Sequence, residues 1–446
     1  MLPCSPAATR ILICRRSDNW IILYAILSRE GQSFQGGQSK GTMTINVLGV
    51  LGLMAVGLQA VASAPPRLTL QSALDLADKQ NLDLAAARRR RAVALAGIQI
   101  AKQRPNPTLN FSALRDAPHE GLFFTQPLEL GPKRKRRIEV ARQEGVLTDT
   151  EIAVLARQVR RSMREAFYRA LLARAETERL GSVLQLAERL KQIAQERFEA
   201  GDVAQLEVIQ AALGVARARA DYQVAQQRER VSLSQLNALL NEPASTAWEL
   251  AGSLADAAPE TPLAELLRRA TQSNPELQRL SQEQKVEQTR RELLKAERIP
   301  DLALELGTDF NSPGDFRVGP RSQLSLTLPL YARNQGQIAQ SLASQQVLEN
   351  EAAAAARAVE GRVEAGYFDL KAQQTQVELY RDQLLPVARQ AEGLAEESYR
   401  AGKVGILAVV EAQRSVQDTD RSYLESLFTL QSLFAALEET VGEPLD

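Results

Sequence analysis

The chain has 446 residues with 54 basic and 54 acidic side chains, so no net charge is available to attract nucleic acid or acidic ligands. It holds one histidine, His119, and two cysteines, Cys4 and Cys14, which excludes a His/Cys metal centre or a Cys/His nucleophile downstream of them. No Gly-x-x-x-x-Gly-Lys-Ser/Thr loop occurs, so the chain has no recognisable means of hydrolysing ATP.

In chain order, residues 43–64 read as a secretory signal, with an apolar run over 47–61 followed by Ala62-Ser63-Ala64 as a cleavage site. Residues 1–42 read as a non-native extension upstream of a true start at Met43. The alternative, an anchor over residues 20–27, is too short to span a bilayer. After residue 65 no apolar run is long enough for a transmembrane helix, and no cysteine follows the signal to carry a lipid.

The rest of the chain repeats itself. Glu196-Arg197-Phe198-Glu199-Ala200-Gly201-Asp202-Val203 returns 201 residues later as Glu397-Ser398-Tyr399-Arg400-Ala401-Gly402-Lys403-Val404. Upstream, Asn81/Asn274, Lys102/Lys295 and Pro107/Pro300 match at an offset of 193, the difference being assigned to a longer loop in the second copy. The boundaries expected are repeat one over 68–243, a linker over 244–261 and repeat two over 262–444. Residues 133–200 are helix-forming with no internal proline and would extend roughly 100 Å as one helix. A glycine turn at Gly201 leads into a second helix over 203–240. Copy two repeats the hairpin over 334–399 and 404–441.

Between the helices the apolar period changes to two. Leu302, Leu304, Leu306 and Phe310 alternate with polar or small residues, as do Leu324, Leu326, Leu328 and Leu330, with a loop over 311–321. Copy one is weaker, over 108–113 and 122–130. This is the length and pattern of membrane-spanning β-strands, with Phe111, Phe123, Phe124, Phe310, Phe316 and Tyr331 near strand ends as interfacial girdles. A small sheet packed on a soluble core is the other reading. Spanning strands must close into a barrel, and four are too few against a minimum of about eight, so copies of the chain must supply the rest.

Taken together, the two-fold repeat, the four strands, the hairpin ends and Val409-Val410-Glu411-Ala412-Gln413-Arg414 resemble the TolC family of outer-membrane efflux ducts. The stretches Gln126-Pro127-Leu128-Glu129-Leu130-Gly131-Pro132-Lys133-Arg134 and Leu328-Pro329-Leu330-Tyr331-Ala332-Arg333-Asn334-Gln335-Gly336 resemble its CzcC-like branch, which serves heavy-metal pumps of the resistance-nodulation-division type. The resemblance implies a mainly α fold with a small β part: a TolC-like α/β-barrel with long helical hairpins and four transmembrane strands per protomer. A homotrimer would then form a twelve-stranded barrel in the outer membrane of a Gram-negative bacterium, with a long periplasmic extension. It further implies a periplasmic adaptor protein, an inner-membrane pump and outer-membrane lipid as partners, with no nucleic acid, no cofactor and no resident metal. Adaptor docking would fall at Arg197, Gly201, Val203, Tyr399, Gly402 and Val404, and a periplasmic constriction at Leu407 and Glu411. One family pattern carries a further acid where this chain has Ala408.

The basic runs 88–91 and 133–137 read as solvated surface. The second opens a helix, where positive charge opposes the macrodipole, so a local reason or contact with lipid headgroups is expected. His119 is assigned no role. The chain reads as a passive export conduit and not an enzyme. A drug or organic-compound duct of the same fold and a periplasmic coiled-coil scaffold are the alternatives.

Overall fold

A computed structural model describes residues 66–256 and 261–445. The expected extension (1–42) and export signal (43–64) lie outside the described residues. Each half of the described chain runs through the same elements. The first half comprises β1 (Arg67–Thr69), α1 (Leu70–Gln80), α2 (Leu82–Lys102), β2 (Thr108–Ala113), β3 (Glu120–Leu128), α3 (Lys133–Glu199) and α4 (Gln205–Leu239). The second comprises β4 (Glu249–Ala251), α5 (Leu263–Ser273), α6 (Pro275–Ala296), β5 (Asp301–Ser312), β6 (Phe316–Thr327), α7 (Gln335–Leu379), a π-helical turn (Tyr380–Leu384), α8 (Leu385–Arg400) and α9 (Ile406–Val441). Among the described residues no helix is long and apolar enough to cross a membrane.

The repeat is visible in single side chains. Asn81 caps α2 by accepting from the Leu84 amide, and its own amide donates to the Leu239 carbonyl. Asn274 caps α6 by accepting from Leu277 and donates to the Thr440 carbonyl. Each buried asparagine thus starts one helix and ties it to the end of another, a use that fits its capping preference.

The principal core lies around the middle of the long helices. Met163, Phe167 and Leu171 of α3, Val359 and Val363 of α7, and Phe434 and Leu437 of α9 pack there with α1, α5 and the end of α4. The residues between the halves contribute to it. β4 pairs in parallel with β1, Leu250 and Leu254 are buried, and the Trp248 indole donates to Asn237 at 2.7 Å. This two-stranded pair was invisible in the sequence because three residues are too few to show a period.

The four-stranded sheet runs β2-β3-β5-β6, antiparallel throughout. The 311–321 loop expected from the sequence is mostly strand, because β5 continues to Ser312 and β6 begins at Phe316. The extra length of the second copy therefore lies in longer strands and a longer exit to α7, not in the hairpin loop. The other correction concerns the second long helix. Pro386 has no N–H and its ring would clash with the carbonyl four residues back, so the backbone widens just before it. The Leu385 amide accordingly bonds the Tyr380 carbonyl, a π-type step that separates α7 from α8.

Candidate functional site

The two hairpin tips are built alike. Gly201 and Gly402 take φ of +81° and +68°, and Asp202 and Lys403 each donate 2.9 Å back across the helix end, to Arg197 and Ser398 carbonyls respectively. These are Schellman turns, and they require a residue tolerant of the left-handed region. An added Cβ at Gly201 would meet nothing within 4 Å, so conformation, not crowding, selects glycine there.

The tips also meet. Tyr399, fully buried, packs with Leu190, Ala194, Ala211, Ile406 and Val409, against which Val404 also rests. The Arg197 guanidinium lies 4.9 Å from the Tyr399 ring centre and donates to the Tyr399 carbonyl at 3.1 Å. The Tyr399 hydroxyl donates to Glu207 on α4 at 3.2 Å. Burial, then the nearby Glu207 charge, push the Tyr399 phenol above its ordinary value. Of the six expected docking residues, Arg197, Tyr399 and Val404 thus join the tips, while Gly201 and Gly402 lie exposed at their ends and Val203 is half-buried. Glu207 was missed in the sequence, since one acid among many on a helix gives no signal until its partner is seen.

Leu407 and Glu411 stand one turn apart at the start of α9. Leu407 is 70% exposed, and Glu411 is exposed with no ion-pair partner among the described residues. Their neighbours Ile406 and Val409 turn inward to the tip core. The arrangement leaves an apolar side chain and a free carboxylate on the open face of one helix. Among the described residues no group of three or more His, Cys, Asp or Glu side chains could hold a metal ion.

At the other end of the helices, strand register divides the sheet into two chemical faces. Leu109, Phe111, Leu122, Phe124, Leu306, Val318, Leu324 and Leu326 share one face and are exposed. A soluble sheet packed on a core would bury that face, and here nothing described covers it. The opposite face carries Asp301, Glu305, Asp309, Arg321 and Gln323, with Thr125 donating to Glu305 at 3.2 Å. Phe123 falls on this polar face in mid-strand, not at an end as expected for a girdle. Its ring fills the space over Gly121 and Gly307, and Arg321 stacks 4.9 Å above it.

The 133–137 run is solvated surface only in part: Lys135 is exposed, and the local reason expected for the run is present in its neighbours. Lys133 is buried against Asp301 at 2.6 Å. Arg134 donates to the Lys102 carbonyl, and Arg137 donates to the Ala101 and Gln103 carbonyls and pairs with Glu129 at 2.7 Å. These guanidinium groups satisfy the open carbonyls at the end of α2, which offsets their unfavourable place at the start of α3. In the 88–91 run, Arg88 likewise bonds Asp78, and Arg91 pairs with Asp149 at 3.3 Å.

This combination of long helical hairpins and a sheet apolar on one bare face is the fold of outer-membrane channels. The chain superposes on the CusC structure with a TM-score of 0.70, at 15% identity, covering 84% of this chain and 92% of that one. The outer membrane protein VceC of Vibrio cholerae gives 0.68 at 16% identity, covering 84% and 97%. The chain belongs to the outer membrane efflux protein family, which matches it over residues 73–242 and 266–443. A cobalt-zinc-cadmium resistance protein, CzcC of Cupriavidus metallidurans, is 27% identical over 390 residues, 84% of this chain and 90% of that protein. The resemblance drawn from the repeat and the junction motifs is borne out, and the protein is an outer-membrane efflux channel component.

Proposed function

We propose that three copies of this chain close a twelve-stranded barrel and form the exit duct of a tripartite pump for heavy-metal cations. The observation that carries this reading is the four-stranded sheet with one bare apolar face and two unpaired edges, β2 and β6. Lipid cannot satisfy an open strand edge, and four strands cannot close on themselves, so the β6 edge of one copy must pair with β2 of the next. The cation substrate follows from the likeness to the cobalt-zinc-cadmium resistance protein. The duct is passive, and an adaptor and an inner-membrane pump supply energy and most of the selection.

On this reading the tip turns at Gly201 and Gly402, with Arg197, Val203, Tyr399 and Val404, receive the adaptor. Leu407 and Glu411 narrow the entrance, and a ring of Glu411 carboxylates concentrates cations there. The repeat boundaries at 68–243 and 262–444 follow the same plan, each half supplying one hairpin and two strands. Planar-bilayer recording tests the entrance: Glu411→Ala should weaken cation preference and relieve block by divalent ions. Unchanged selectivity and block would remove Glu411 from the constriction. Metal-resistance assays in a host lacking the gene, set beside drug-resistance assays, separate cation export from export of organic compounds.

A further inference from the structure

The chain as a whole is neutral, yet its charge is unevenly placed about the sheet. All four strand–helix junctions lie at one end of the sheet: the start of β2, the end of β3, the start of β5 and the end of β6. The segments that make them, 102–107, 128–137, 297–301 and 328–336, hold nine basic side chains and three acidic ones. The hairpin loops at the opposite end, 114–119 and 313–315, hold one basic and two acidic. An excess of six positive charges in a chain of zero net charge is therefore concentrated at a single level.

Part of that charge is used internally. Lys133, Arg134 and Arg137 hold the junction together, and the three acids of the collar are engaged there too: Glu129 by Arg137, Asp301 by Lys133, and Glu297 by the Asn334 amide. Arg136 is half-buried, and what remains is Lys102, Arg104, Lys135, Arg298 and Arg333, exposed and without an ion-pair partner among the described residues. Arg333 uses only its Nε, donating to the Pro329 carbonyl, which leaves both terminal nitrogens of its fork open. Beside it Tyr331 is 90% exposed, following the exposed apolar Leu328 and Leu330. An exposed tyrosine between an apolar stretch and an open guanidinium matches a layered boundary of hydrocarbon, glycerol level and phosphate.

We propose that this collar is a binding surface for anionic phospholipid headgroups of the periplasmic leaflet, with Arg104, Arg298 and Arg333 as its principal phosphate contacts and Tyr331 as its interfacial anchor. Guanidinium forks suit phosphate oxygens, and a planar donor pair holds one headgroup in a fixed orientation. The proposal rests on the reading that the sheet crosses the bilayer, which places the junctions at the membrane surface.

The test uses the detergent-purified, delipidated full chain incubated with phosphatidylglycerol or phosphatidylethanolamine, with bound lipid counted by native mass spectrometry. The wild type should retain phosphatidylglycerol over phosphatidylethanolamine, and added salt should erode the preference. Each basic residue near an anionic surface is worth roughly fivefold in affinity, so R104Q/R298Q/R333Q should lose on the order of 100-fold for phosphatidylglycerol alone. The R104K/R298K/R333K variant should keep most of it. Equal retention of the two lipids by the wild type, or undiminished phosphatidylglycerol binding in the glutamine variant, overturns the proposal. Should the glutamine variant fail to fold, the wild-type lipid preference and its salt dependence decide. A wild type that conducts in planar bilayers yet shows no lipid preference sinks the collar alone, whereas one that never conducts sinks the channel reading beneath it.

Discussion

Tyr399 shows how a residue that looks like half of a repeat motif acquires a separate duty. Its counterpart in the first copy is Phe198, 38% exposed and without a hydroxyl, so only the second tip can reach across to Glu207. A phenol held above its ordinary value contributes stability that is complete below that value, roughly pH 10, and is lost as pH rises through the folded value. Tyr399→Phe should therefore flatten the alkaline limb of a stability-versus-pH curve and remove one late-titrating tyrosine from an absorbance titration. A larger effect is expected in the mid-helix core. Glu438 there is almost fully buried between Arg160 at 3.0 Å and Arg164 at 3.3 Å. Glu438→Ala removes the buried carboxylate that both guanidinium groups share and should cost about 3–5 kcal/mol in denaturant titration.

Among the elements, the long helices and the second strand pair were legible in the sequence because each runs long enough to establish a period. The α3 bounds agree with the expected 133–200 to within a residue, and alternation over Leu302–Phe310 located β5. The β1–β4 pair and the break at Tyr380–Leu384 were not legible, the first for want of length and the second because Pro386 alone does not say how a helix will absorb it. The partners of Lys133, Arg134 and Arg137 were hidden for another reason: they lie on other elements, and charge runs in a sequence carry no information about distant carbonyls. Glycines divide the same way. A Cβ on Gly307 would penetrate the Leu122 carbonyl oxygen and the Phe123 ring, so Gly307→Ala should block sheet assembly, visible as loss of heat-modifiable oligomer on gels. On a helix, Gly361→Ala meets open space and should stabilise by about 0.5–1 kcal/mol. Gly201→Ala should cost about 1–2 kcal/mol, all of it from backbone conformation.

On the scale of the whole molecule, the described chain concentrates its buried apolar mass at mid-helix and leaves the sheet bare, so its stability and its membrane residence are set in different places. Sheet substitutions that place charge on the apolar face, such as Leu324→Arg, should leave helix content by circular dichroism unchanged while abolishing insertion into liposomes. The π turn before Pro386 has a mechanical corollary. One hairpin arm, α3, runs 67 residues without a fault, whereas its counterpart is jointed about twenty residues above the tip. Push on both ends equally and the first behaves as a strut, the second as a strut with an elbow. Hydrogen exchange at residues 380–386 should accordingly outpace that of the matching stretch of α3, and any yielding of the periplasmic end should begin on the jointed side.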